Sequence, residues 1–289
     1  MDGIIILDKD SGLFSRTAGW RVAKMFNEKK FGHIGTLDPM ASGVLPVVIG
    51  NATKMIPFIE EICPNTKEYL FGLQFGTETD SLDITGNTTK TSDVLPTEDE
   101  IKQTCKKFIG TTEQIPPAFS AIHIDGKRAY DLARHGEKVD IKPRKIIINE
   151  LEYLGKSDKE YNFRVSCSRG TYVRSIVRDI ANICGTVATT TYIRRTQTNG
   201  FSIKHAVKLD FLEKMFNNHG DIKEYLMAPD CTLGDIPVIN LVDEDVKLYK
   251  NGGFIKTDES NGLRRVYSGK TFIGIGHIYN GLLHPKRTL

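Results

Sequence analysis

The chain has 289 residues, of which 39% are hydrophobic and 26% charged, and a formal net charge of +3. That is enough apolar material for a sizeable core, arranged as one large domain and a smaller one. The opening MDGIIILDKD carries an apolar run of four residues and no basic leader, which excludes a signal peptide, and no later run reaches membrane length; the expectation is a cytoplasmic protein with no membrane partner.

The five cysteines, Cys63, Cys105, Cys167, Cys184 and Cys231, are odd in number, scattered and never spaced C-x-x-C. This pattern argues against both a zinc site and a disulfide framework. Charge is unevenly spread. Residues 161–209 hold eight Arg or Lys against Asp179 alone, whereas residues 60–100 hold ten acids against Lys67 and Lys90. The basic stretch would suit a polyanion, although a polarised solvated surface is the plainer reading of any charge run.

In chain order, the spacing of Val22, Ala23, Met25 and Phe26 predicts a helix over 16–27, after which a glycine-rich bend leads into the buried-strand pattern VLPVVIG. KEYLFGLQFG alternates, with Tyr69, Phe71, Leu73 and Phe75 on one face of a strand. The acidic TETDSLDITGN reads as a loop. Thr97 and Glu100 make a capping box for a helix carrying Ile101, Cys105 and Phe108, which Gly110 stops. IPPAFSAIHIDGKRAYDLARHG begins irregular, because of its prolines, and continues as a short helix ending at Gly136.

YNFRVSCS alternates again, and Gly170 precedes a helix with Val173, Ile176, Val177, Ile180 and Ile183 apolar, Thr171 as its N-cap and Gly185 as its stop. Beyond about residue 230 the texture becomes short β-like pieces with Ser268-Gly269 and Asn280-Gly281 as turns. Strands and helices mix without a βαβα rhythm. The expected class is therefore α+β, divided into a large domain over 1–229 and a small β-rich one over 230–289.

One segment concentrates the chemistry. In FGHIGTLDPMASGVLPVVIG, residues 31–50, Asp38 is the single acid among glycines and prolines. Pro39 turns Asp38 away from helical geometry, and Gly32, Gly35 and Gly43 permit unusual backbone. A plain Asp-Pro turn is the ordinary reading of such a dipeptide. Arg174 falls in the first turn of a helix, where the dipole disfavours a cation, so it calls for a carboxylate or phosphate partner.

Taken together, GHIGTLDPMASGVLPVVIG, KEY, CSRGTYVRSIVRDIA and YIRRTQTNGFS resemble the motifs of the tRNA pseudouridine synthase B (TruB) family, the tRNA pseudouridine-55 synthases, over about residues 3–202. The family pattern is changed at Ile34, Met40 and Ser42, and DKDSGLFSR lacks the proline of the usual K-P-x-G-x-T-S.

The resemblance implies a pseudouridine synthase catalytic fold, a mixed, largely antiparallel sheet flanked by helices, with a small C-terminal PUA-like RNA-binding domain. It implies isomerisation of uridine 55 in the tRNA T-loop, on a base flipped from its stack. Asp38 would be the catalytic aspartate, Tyr69 the tyrosine that stacks on the base and can move the C5 proton, and Arg174 the arginine that pairs with the aspartate. His33, Tyr172, Ile193, Lys54 and Arg169 would bind substrate, His33 by opening the RNA loop and Ile193 beside the base. The basic stretch 161–209, with Lys127, Arg128, Lys142, Arg144 and Lys145, would meet tRNA phosphates. The reaction implied needs no cofactor and no metal, and the T-arm of tRNA would be the partner of a monomer acting without an obligate protein. A non-catalytic tRNA-binding protein with the same surface is the rival reading.

Overall fold

Gly3–Lys9 is a strand buried along its whole length, as the run Ile4 to Leu7 demands. It lies antiparallel to the strand Ser42–Ile49, in register from Gly3↔Ile49 to Lys9↔Gly43, and parallel to Val207–Lys208. Phe31–His33 also pairs antiparallel with Ser42–Ile49. The computed structural model describes residues 1–120, 122–124, 126–135 and 140–289. Two compact units divide the chain, one of Met1–Pro39, Gly43–Asn65 and Asn199–Leu289, the other of Met40–Ser42 and Thr66–Thr198.

In the first unit, the strands just described carry the helix Ser15–Met25, which buries Ala18, Val22 and Ala23. A second, five-stranded sheet runs in the order Val238–Asn240, Gly262–Ser268, Thr271–Tyr279, Leu282–Thr288, Ile255–Lys256. Asn280 and Gly281, both with positive φ, make the tight turn between two of these strands that the Asn-Gly pair predicts. Ile4, Ile6, Val48, Phe58 and Ile59 share one buried cluster with Leu233, Ile236, Phe272 and Ile275. A separate cluster gathers Ile239, Tyr249, Ile255, Val266, Ile278 and Leu283.

The second unit is a strictly antiparallel sheet in the order Ala188–Thr198, Thr66–Phe75, Glu160–Ser168, Arg144–Ser157, Gly110–Gln114. Alternation puts Tyr69, Phe71, Leu73 and Phe75 on one buried face with Tyr161, Phe163, Val165 and Cys167. Phe71 stacks on Phe163 with centroids 5.2 Å apart. The helices Glu98–Lys107 and Val173–Ile183 pack against this sheet. Thr97 and Glu100 form the expected capping box, each side chain bonding the other's backbone N–H.

The α+β class, the mixed and largely antiparallel sheets and most elements match expectation. Four details differ. The acidic segment is partly strand, because Thr77–Thr79 pairs with Thr88–Thr91. Asp243–Lys250 is a helix, with three acids in its first turn and lysines in its last, as the helix dipole favours. Ile183 is 46% exposed rather than in the core. The N-cap of the Val173–Ile183 helix is Tyr172, not Thr171. The expected helix stop at Gly136 lies outside the described residues; that helix spans Ala129–Arg134. Among the described residues no helix is long and apolar enough to cross a membrane.

Candidate active site

Asp38 lies half-buried in the bend between Phe31–His33 and Ser42–Ile49. The backbone on both sides of it is clamped. On one side, Ser15 Oγ donates to the Leu37 carbonyl at 2.9 Å and accepts from Leu37 N–H at 3.0 Å, all of it buried. On the other, the Pro39 carbonyl accepts from Gly12 N–H at 2.8 Å and from Lys9 Nζ at 3.3 Å. Lys9 is fully buried, and its ammonium also donates to the carbonyls of Asp10 at 2.9 Å and Leu13 at 2.7 Å. Burying a charge costs several kcal/mol unless it is hydrogen-bonded; here three carbonyls answer the three N–H bonds.

Glycine serves this bend in two different ways. Gly35 has φ +66°, a left-handed backbone that other residues resist. Gly32 makes room, since a Cβ there would meet Ile56 Cδ1 at 2.6 Å. His33, half-buried, sets its ring Nε2 3.1 Å from Thr36 Oγ1 within the same bend.

In the second unit, Tyr69 is buried in Thr66–Phe75, with Arg195 as its register partner on one side and Val165 on the other. Ile193, also buried, is in register with Phe71. Arg195 is fully buried and hydrogen-bonded to Tyr69; burial pushes its guanidinium pKa down, and the contact with Tyr69 opposes this.

Arg174 is 4% exposed in the first turn of its helix. It donates to the carbonyls of Ser81 at 2.8 Å and Phe119 at 3.0 Å, and its Nη1 lies 3.5 Å from the carboxylate of Asp83. Asp83 is itself buried and accepts from Ser81 Oγ, Thr85 N–H and Thr85 Oγ1. The carboxylate that a first-turn cation requires thus comes from the acidic segment, where the sequence suggested only solvated surface. At the helix entrance, the amide of Gln114 clasps Tyr172, accepting from its N–H at 2.8 Å and donating to its carbonyl at 3.1 Å. The guanidinium of Arg144 sits 5.9 Å from the centre of the Tyr172 ring, within cation–π range. Arg169 is exposed.

The basic stretch is less available than its count suggested. Arg164 pairs with Glu150 and Glu152 at 2.9 and 3.0 Å and approaches Glu68 at 3.8 Å. Arg178 pairs with Asp179, and Lys208 with Asp8 and Asp10. Arg174 and Arg195 are buried. A separate basic cleft of about 430 Å³ lies in the first unit, lined by the exposed Lys54, Lys250, Lys286 and Arg287. Lys54 Nζ donates there to the Thr288 carbonyl at 3.1 Å.

Comparison with known proteins adds ancestry to this geometry. The family model for the N-terminal domain of TruB family pseudouridylate synthases matches residues 23–173, and that for the C-terminal domain of pseudouridine synthase II TruB matches residues 237–289. A tRNA pseudouridine synthase B from Caulobacter vibrioides is 38% identical over 99% of this chain and 96% of its own length. One of the same name from Ehrlichia chaffeensis is 37% identical over 99% of both. Among solved structures, a Cbf5-Nop10-Gar1 complex aligns with TM-score 0.69 at 22% identity, over 99% of this chain and 84% of the matched one, a likeness of fold. By sequence over its whole length, the chain belongs to the TruB family of pseudouridylate synthases.

Proposed function

We propose that this enzyme isomerises uridine to pseudouridine at position 55 of tRNA, in the T-loop, with Asp38 as its catalytic carboxylate. The observation that carries the reading is the clamp around Asp38. Ser15 fixes the peptide before it, while Lys9 and Gly12 fix the carbonyl after it. A reacting group gains most when its geometry is set in advance.

The base must leave its stack to be reached. The C1'–N1 bond of the uridine then breaks, the uracil turns, and C5 joins C1'. Asp38 attacks C1', adds to C6 or takes the 2' proton, and each route starts from an ionised carboxylate. Arg174, whose guanidinium Asp83 and two carbonyls hold in place, is in this reading the arginine that partners the catalytic aspartate. Tyr69 stacks on the base. In the last step the C5–H bond breaks and its electron pair restores the C5–C6 double bond; the proton passes through the Tyr69 hydroxyl, which gives its own to water, and N1, freed from C1', takes up a proton in exchange.

In this reading Ile193 borders the base, His33 opens the loop, and Tyr172, Arg169 and Lys54 contact the T-arm. Residues 1–229 form the catalytic domain and 230–289 a small RNA-binding one, in a cytoplasmic monomer that needs no cofactor. The test is to treat an unmodified tRNA transcript with the enzyme and map pseudouridine by carbodiimide and primer extension. One stop, at position 55, is expected. Stops elsewhere and none at 55, or RNA binding with no stop, would reject the assignment.

A further inference from the structure

Arg195 ranks first by size among the fully buried side chains of the described residues. Ile193 on its own strand and Phe71 on the adjacent one share its face, with Val165 and Phe163 on the strand beyond, all of them buried. An apolar residue would pack there at no electrostatic cost, whereas a buried guanidinium carries a desolvation penalty. Its register partner across the strand pair is Tyr69, and opposed residues of an antiparallel pair project from the same face with Cβ atoms about 5 Å apart. The two side chains are hydrogen-bonded.

We propose that Arg195 is a positioning residue for Tyr69, fixing the direction in which the phenol presents its hydroxyl proton. The inference rests on the role given to Tyr69 above. A guanidinium has donors only, so in this hydrogen bond the phenol oxygen must accept. The phenol's own proton is therefore turned away from Arg195. The planar, rigid fork of the guanidinium sets this direction more narrowly than an ammonium would. A phenol with a fixed donor behind it has one way to pass a proton on, which is what a relay at C5 requires.

The proposal predicts coupling between the two side chains. The test is a double-mutant cycle on the whole enzyme, with kcat and KM read from release of C5 tritium from a tRNA transcript. Arg195→Lys should lower kcat about tenfold with KM unchanged. In the Tyr69→Phe background, which has no hydroxyl to aim, the same change should cost less than twofold. Arg195→Gln, which keeps a planar donor without the charge, is the second variant and should fall between Arg195→Lys and the wild type. Equal losses in both backgrounds, a rise in KM alone, or wild-type kinetics in Arg195→Lys would overturn the proposal. So would failure of both arginine variants to fold while Tyr69→Phe melts at the wild-type temperature, since Arg195 would then serve the fold independently of the hydroxyl. Full activity of Tyr69→Phe itself would instead reject the role of Tyr69.

Discussion

The hydroxyl of Ser15 and the backbone of Leu37 bond to each other in both directions, at 2.9 and 3.0 Å, one residue before Asp38. Because both groups are buried, removing the hydroxyl strands an N–H and a carbonyl together. Ser15→Ala should cost about 1–3 kcal/mol of stability, seen in urea unfolding. It should also lower kcat more than it raises KM, because it loosens the aspartate without touching RNA. A KM effect alone would place Ser15 in RNA binding.

Arg174 and Asp83 are an ion pair with both side chains about 5% exposed. Removing one partner of such a pair leaves an uncompensated buried charge, which costs about 3–5 kcal/mol. Asp83→Ala should lose that much in denaturant titration, and Asp83→Asn less, since an amide can still accept. A loss below about 1 kcal/mol in Asp83→Ala would mean that the pair contributes as little as one at the surface.

The capping box links stability to pH. Hydrogen bonds from the Thr97 backbone and side chain hold the Glu100 carboxyl below its ordinary pKa. A depressed folded pKa stabilises above the unfolded value and is lost as pH falls through the folded one. Thr97→Ala should therefore lower the melting temperature by a few degrees at neutral pH, and the gap to wild type should narrow below about pH 4. A gap that widens in acid would contradict the sign.

With Arg164, Arg178 and Lys208 neutralised internally, the cleft of Lys54, Lys250, Lys286 and Arg287 is the better candidate for phosphate contact. Lys54→Ala and Lys286→Ala should each weaken tRNA binding and reduce the slope of log K against log salt by about one, with kcat at saturating tRNA unchanged. Filter binding from low to moderate salt checks this. Unchanged slopes would remove the cleft from the RNA surface.

These relationships differ in how far the sequence announces them. The Thr97–Glu100 box, the Asn280-Gly281 turn and the alternation of Tyr69 to Phe75 are local, so three or four residues suffice to read them. The bend around Asp38 is legible for the same reason, but its clamp is not, because Ser15 and Lys9 come from another strand and helix. Asp83 was hidden among acids that look solvated, and only the fold brings it to Arg174. Counting arginines over 161–209 overstated the free positive charge, since charge along a chain says nothing of partners across a sheet, as the Arg164 pairs with Glu150 and Glu152 illustrate. Arg195 stands next to Arg194 in a basic-looking run; its burial opposite Tyr69 depends on strand pairing, with a bulge immediately after it.

The central claim is that Asp38 performs the isomerisation. It is tested most directly by tritium release from C5-labelled uridine in an unmodified tRNA transcript, comparing wild type with Asp38→Asn and measuring tRNA affinity for both. The account predicts release by the wild type, none by Asp38→Asn, and tRNA affinities within about twofold, since the substitution keeps the size of a half-buried side chain. Release by Asp38→Asn at the wild-type rate, or tRNA binding by the wild type without release, would contradict it.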